Sequence, residues 1–593
     1  MLEGADKRYK VHHREAVGDL AGDPFQHWQR PFWTIIYHML FKIFRGEAAA
    51  LAPLVLFAMI QPAAHSQGRQ GRGQEVPPQT QQQTQPQTQP QGSETIANRP
   101  QAQPAVQTPA AATRGRGGLA GPGPALGGEV DETPVVTHHS INIGGKTLNY
   151  TATVAQMPLK NAAGDTEAHI FYMAYTLDGQ DHSKRPLTFS FNGGPGSASM
   201  WVHMGGFGPR SPKLMPNGSM PPPPFQMVDN QDTWLDQTDL VFIDPVGTGY
   251  SRAKTIEVAR RMNGVQGDIQ SIGEFMRLYV ARNSRELSPL FIAGESYGTF
   301  RTAGLAGYLI DRGMAFNGVV LIGTTLNLET IWSRSDDLVY ELEFPTYAAD
   351  AWYHKKVSAD LQRKDLKSFL KDAEAFALGD YATALAKGDE ISPAEKKAAI
   401  DKIIRFTGLD AHYLDQTNLR FDVSHFAREL LRDKGLTIGR YDGRLTGASG
   451  LNTGETAEYD PSSTLITPPF TAVFTSYIRN ELGYKTDMYY YPSGGIQPWD
   501  YGVQNGFGDT TSLLRNAMVK NPYMKVMIAA GYYDLATPYY AVEYTFNHMG
   551  LHPEMHKRIT WDFYQAGHML YIDSDQHAKL KKDFSDFVQS ALQ

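Results

Sequence analysis

Polar and apolar positions alternate through residues 140–149 and 169–177, and Gly145 and Gly179 break the alternation. This period of two predicts antiparallel strands joined in hairpins. Beyond Gly179 the pattern changes. Residues 187–191, 240–243, 290–293, 319–322 and 526–530 are short, nearly unbroken apolar runs rich in Val, Ile, Leu and Phe. A strand covered on both faces has no polar side to show, so such runs predict the buried strands of a mostly parallel sheet. Amphipathic stretches at 268–282 and 302–311 predict helices among them, and strand alternating with helix places the chain in the α/β class.

From Asn327 to about Pro498 the apolar runs give way to charged amphipathic helices. Ser392, Pro393 and Glu395 spell a capping box with proline at the first helical position, and Gly408 stands where that helix should stop. An interval this long is not one loop. It predicts an inserted, largely helical cap over residues 328–498, dividing the α/β domain into 131–327 and 499–593.

Composition alters the picture at the front of the chain. Residues 67–130 are dominated by Gln, Pro, Thr, Gly and Ala, so they bury too little to offset their ordering entropy and are expected to form a disordered tether. Ahead of them Lys42 and Arg45 precede an apolar run from Ala48 to Ile60, and Ala63, Ala64 and Ser66 follow, in the order of a secretory signal peptide. The run is about thirteen residues, short of the roughly eighteen of a membrane span. Residues 1–66 are therefore read as an extension and signal peptide, with Met39 as the expected start. The chain is expected to be exported to a periplasmic or extracellular space, with no membrane span left after cleavage.

With 593 residues, 41% of them hydrophobic, the remainder can bury one large core and an accessory domain. A net charge of −7 and the lack of any dense Lys/Arg run argue against a nucleic-acid partner. The absence of cysteine excludes disulfides, thiolate metal sites and cysteine nucleophiles. The pairs His12-His13 and His138-His139 lack metal-ligand context, so neither a metal nor another cofactor is expected. Nothing in the pattern addresses oligomeric state.

Residues 291–298 read Phe-Ile-Ala-Gly-Glu-Ser-Tyr-Gly, a buried strand running into the pattern G-x-S-x-G with a helix behind it. In this pattern the serine sits on a strained strand-to-helix turn, and the flanking glycines leave room where side chains would collide. Ser296 is thus the candidate nucleophile. It needs a base and an acid to orient that base, and in such folds they follow in the order Ser, Asp, His. Asp534 follows the run 526–530 and the turn Gly531-Tyr532-Tyr533, and His568 follows a strand-like stretch at 558–564. Singly, Asp534 reads as a cap for Thr537 and His568 as a packed surface residue; jointly, their order after an elbow serine makes them the triad. One oxyanion donor is expected to be the N–H of Tyr297, the residue after the nucleophile. The other is expected from Phe191-Asn192-Gly193-Gly194-Pro195-Gly196, which follows the run 187–191 and would otherwise read as a plain tight turn.

Residues 191–196, residues 244–251 (Asp-Pro-Val-Gly-Thr-Gly-Tyr-Ser), residues 294–298, Asp534 and Gly567-His568-Met569 together resemble the serine carboxypeptidase family, from roughly Thr137 to the C-terminus. The resemblance implies an α/β-hydrolase fold and removal of C-terminal residues from peptide substrates. It also implies a substrate carboxylate held by Asn192, the backbone of Gly193 and the side chain of Glu295, with Gly194 and Tyr297 as the oxyanion donors. Two carboxylates repel unless one carries a proton, so Glu295 is expected to have a raised pKa, favouring peptide hydrolysis at acid pH.

The sequence departs from the family in two places. Met204-Gly205-Gly206-Phe207-Gly208-Pro209 puts Gly206 where many members have a second glutamate, so the usual shared-proton pair cannot form; His203 is the candidate substitute, set against a packed loop histidine. Ser197 stands where cysteine is common, which points to a bacterial-type member held by its core alone. Within 244–251, Gly247 and Gly249 are expected to shape a turn beneath the site, with Tyr250 as a wall of the pocket. Arg301 either faces the pocket or caps the elbow helix. Two further readings stand beside the carboxypeptidase: an esterase or acyltransferase with the same triad, and an inactive exported binding protein that keeps the fold. Asn192 with Glu295 favours the carboxypeptidase.

Overall fold

A computed structural model describes residues 130–593 apart from Gly495 and Gln497, so the expected signal peptide and all but the last residue of the expected tether lie outside the described residues. The alternating stretches form an antiparallel meander of β1 (Val135–Ile143), β2 (Lys146–Lys160) and β3 (Thr166–Leu177). The apolar runs become β4 (Leu187–Phe191), β5 (Asp239–Ile243), β7 (Leu290–Glu295), β8 (Gly318–Ile322) and β9 (Lys525–Gly531). A short β6 (Arg252–Ala253) pairs with β3, and β10 (Ile559–Tyr564) closes the far edge. The spatial order is β1-β2-β3-β5-β4-β7-β8-β9-β10. Every pairing from β5 through β4 to β10 is parallel. This mostly parallel sheet with helices on both faces is the α/β-hydrolase arrangement.

The unbroken apolar runs follow from this position. Ile292, Val319, Leu321, Val526 and Ile528 enter one apolar cluster, while Phe291, Ala293, Val320, Met527 and Ala529 enter a second on the other side of the sheet. Each strand feeds two cores, so neither parity of its residues is free to be polar. Helices Val265–Arg282 and Tyr297–Ile310 cover the first face, and Ser574–Ala591 covers the second through Leu580, Phe584 and Phe587. The helix Tyr297–Ile310 begins five residues before the predicted 302. Residues such as Gly298 and Thr299 have weak helix propensity, and the turn at the end of β7 starts the helix instead.

Between Asn327 and Pro498 the chain is mostly helical, with Leu338–Tyr353, Leu366–Phe376, Pro393–Thr407 and Pro461–Ser476 the longest helices. The capping box is formed: the Glu395 N–H donates to Ser392 Oγ at 3.3 Å, the Ser392 N–H donates to Glu395 Oε2 at 3.0 Å, and Gly408 ends the helix in the left-handed region. A hairpin of Leu436–Ile438 with Thr446–Ala448 was not legible in the periodicity. A third apolar cluster around Phe344, Phe376 and Phe406 reaches Tyr532 and Tyr533 just beyond β9, so the insert packs against the strand ends. Among the described residues no helix is long and apolar enough to cross a membrane.

Candidate active site

In a parallel sheet the strands end along one edge, and the predicted residues follow those ends: Asn192 after β4, Ser296 after β7, Asp534 after β9 and His568 after β10. Ser296 sits at φ 60°, ψ −133°, a conformation an L-residue adopts only where its surroundings hold it. Its N–H donates to the Ile322 carbonyl at 2.9 Å, tying it to β8, and its own carbonyl accepts the Thr299 N–H at 2.8 Å to open the helix. The loop after β4 lies directly against this elbow. A Cβ on Gly193 would fall 2.4 Å from both the Tyr297 and Gly298 nitrogens, so only glycine lets the two backbones come so close.

Asp534 makes both of the contacts its two readings call for, one to Thr537 and one to His568. Its Oδ1 accepts the Ala536 and Thr537 N–H groups at 2.8 and 2.9 Å, and its Oδ2 accepts the Thr537 hydroxyl at 2.7 Å. The same Oδ2 lies 2.7 Å from His568 Nδ1, which sets Nδ1 as the protonated ring nitrogen and turns the unprotonated role to Nε2. Burial by itself would depress the imidazole pKa, but the charge and hydrogen bond of Asp534, with help from Glu295, outweigh it and hold the pKa above the ordinary value.

The insert grips the histidine from the other side. The Tyr441 carbonyl accepts the His568 N–H at 2.6 Å, and the Tyr441 ring stacks on the imidazole with centroids 5.3 Å apart. Asp442 Oδ2 accepts the Gly567 N–H at 3.2 Å and pairs with Arg444 at 2.7 Å, while Arg444 also reaches the Gln565 carbonyl at 2.6 Å. None of Tyr441, Asp442 and Arg444 carries a local motif, and the sequence analysis missed all three.

Ser296, His568, Asn192, Gly193, Gly194 and Glu295 line one cavity of about 170 Å³, and the insert contributes Arg440 to its wall. Asn192 is held on both sides: its Oδ1 accepts the Val202 N–H at 3.0 Å, and its carbonyl accepts Arg301 Nη1 at 2.8 Å. Asn192 Nδ2 donates to Glu295 Oε2, and the Tyr571 hydroxyl donates to Glu295 Oε1 at 3.0 Å. Burial raises the Glu295 pKa to about 7, against the opposing pull of His568 and the Tyr571 hydrogen bond. The cavity thus joins a strained serine, an imidazole oriented by a carboxylate, and a carboxyl–amide pair, a set suited to acyl transfer on a substrate with a polar terminus.

Several secondary expectations change. His203 does not line this cavity; it is fully buried, bonded through Nε2 to the Tyr175 hydroxyl at 2.7 Å and packed 4.4 Å from the Phe242 ring, so it does not replace the missing glutamate. Burial pushes its pKa down to about 3, which keeps it neutral. Tyr250 is no wall of the cavity either: it packs edge-on against Phe171 and Tyr490. Asp244, at the head of the same turn, accepts the Ser199 N–H at 2.8 Å and has a structural part. Arg301 faces inward, paired with buried Asp268 at 2.7 Å.

A carboxyl esterase from Bacillus coagulans is 11% identical, covering 74% of this chain and 99% of that one, with a TM-score of 0.30. Serine carboxypeptidase-like 45 of Arabidopsis thaliana is 23% identical over 250 residues, 38% of this chain and 52% of that protein. A pheromone-processing carboxypeptidase of Coprinopsis cinerea is 30% identical over 138 residues, 23% of this chain and 21% of that one. The chain therefore spans about half, or less, of the length of these curated relatives. The serine carboxypeptidase family model matches residues 159–580, most of the sequence and every candidate site residue, and the chain belongs to that family.

Proposed function

We propose that this protein is a serine-type carboxypeptidase that releases C-terminal residues from peptides through an acyl-enzyme. The observation that carries the reading is the 2.7 Å Asp534–His568 hydrogen bond beside a strained Ser296, in the same cavity as the Asn192–Glu295 pair. In this mechanism Ser296 Oγ attacks the scissile carbonyl and His568 Nε2 takes its proton, then returns it to the leaving amine. Asp534 holds the tautomer and stabilises the imidazolium. The N–H groups of Gly194 and Tyr297 receive the developing oxyanion, on two backbones that Gly193 brings together. Water then resolves the acyl-enzyme by the same proton route in reverse.

Exopeptidase polarity would come from the Asn192–Glu295 pair in the same cavity. Asn192, the Gly193 N–H and a protonated Glu295 would bind the substrate's free carboxylate, and with a Glu295 pKa of about 7 this subsite works up to near neutrality as well as at acid pH. Export is part of the proposal on the strength of residues 39–66 alone. A bacterial-type chain, and with it a periplasmic location, rests on the lack of cysteine; the plant and fungal relatives lend it no support.

The test compares a blocked dipeptide with its C-terminal amide. The free acid should be hydrolysed far faster, and a fluorophosphonate should label Ser296 in the native chain but not in His568→Ala. Equal hydrolysis of acid and amide would leave an esterase or acyltransferase, and no labelling would leave a binding protein.

A further inference from the structure

The space beside Gly206 is filled from another part of the chain. A Cβ on Gly206 would sit 3.4 Å from the ring of Tyr571, three residues after His568. That phenol is buried, and its hydroxyl donates to Glu295 Oε1 at 3.0 Å while Asn192 Nδ2 donates to Oε2. Glu295 therefore has one neutral donor on each oxygen and, among the described residues, no carboxylate bonded to it.

The titratable and charged groups that face Glu295 or share its cavity are His568 and Asp534 from the strand ends, Arg440 and Tyr441 from the insert, and Tyr571 itself. Tyr571 at Oε1 and Asn192 at Oε2 together hold the Glu295 carboxyl in one orientation at the cavity wall. A carboxyl that shares its proton with a second carboxyl loses that arrangement when the pair ionises; a phenol stays neutral throughout this range.

We propose that Tyr571 is a positioning residue for recognition of the substrate carboxylate, holding the Glu295 carboxyl beside Asn192 at the cavity wall where a peptide's terminal carboxylate would bind. This rests on the carboxypeptidase reading, and it makes the subsite depend on a single ionisation, that of Glu295, in place of a coupled pair.

The experiment uses the full chain and measures kcat and KM across pH for a blocked dipeptide acid and its ester. Tyr571→Phe should raise KM for the acid roughly 5- to 10-fold, the value of about one hydrogen bond. It should leave kcat and the ester kinetics near wild type. The phenol's hydrogen bond favours ionised Glu295, so its loss should also move the alkaline limb of the acid's kcat/KM to higher pH. Site-specific 3-fluorotyrosine at 571, a stronger donor of the same shape, should move that limb the opposite way and guards against a folding defect in the phenylalanine variant. If both substitutions leave the limb in place, or change acid and ester alike, the Tyr571 proposal is overturned. If wild type itself does not prefer the dipeptide acid over its amide, it is the carboxypeptidase reading that fails.

Discussion

Gly323 shows how tightly a single position can control chemistry without taking part in it. It follows β8 at φ +53°, and a Cβ there would lie 2.7 Å from His568 Nδ1 and 2.8 Å from its Cε1. Alanine would have to push the imidazole away from Asp534, and a displacement of about 1 Å in such a site is worth on the order of 100-fold in rate. Gly323→Ala is expected to lower kcat by about that factor with little change in KM, and to slow fluorophosphonate labelling in parallel. Steady-state kinetics together with the labelling rate check this. Had the imidazole room to relax, both would stay near wild type.

The loop bearing His568 leaves β10 and is anchored at several points to residues 441–444 of the insert. Asp442 is the centre of that staple: it is buried, and it accepts from Gly567 as well as from both the backbone and the guanidinium of Arg444. Removing Asp442 takes from Arg444 one of its two carboxylates, leaving Asp573 at 3.0 Å, and strips the Gly567 N–H of its acceptor. Asp442→Ala should therefore cost about 2 kcal/mol of unfolding free energy through the lost hydrogen bonds, read by denaturant titration. It should also lower kcat, because the histidine loses its outer support. The insert is thus more than a roof over the pocket: it supplies Arg440 to the cavity wall and holds the loop bearing His568 in place. An unaltered kcat in a folded Asp442→Ala would remove that second part.

For the molecule as a whole, the joint titration of the cavity should set the working pH. Asp534 holds the His568 pKa above its ordinary value, so the base is lost as pH falls through that raised pKa. Burial holds Glu295 at about 7, so its proton is lost as pH rises through neutrality. The two groups interact, and the limbs belong to the pair. Peptide acids should show kcat/KM falling on both sides of a maximum, while esters, which present no carboxylate, should fall only on the acid side. Glu295→Gln should abolish the alkaline limb for acids; its persistence would assign that limb to another group. The strands and the order of Ser296, Asp534 and His568 were legible in the sequence, because burial on both faces forces an apolar run and an elbow demands its own short pattern. So were the Asn192 loop and the oddity of Gly206. The partners that complete the site were not: Tyr571 meets Glu295 across 276 residues and Gly567 meets Asp442 across 125. A contact of that span leaves no periodicity or local motif, since either residue would look the same along the chain whether or not it touched the other. Only the packing of the loop after β10 against the Gly205-Gly206 turn decided that a phenol, and not a histidine or a second carboxyl, stands beside Glu295.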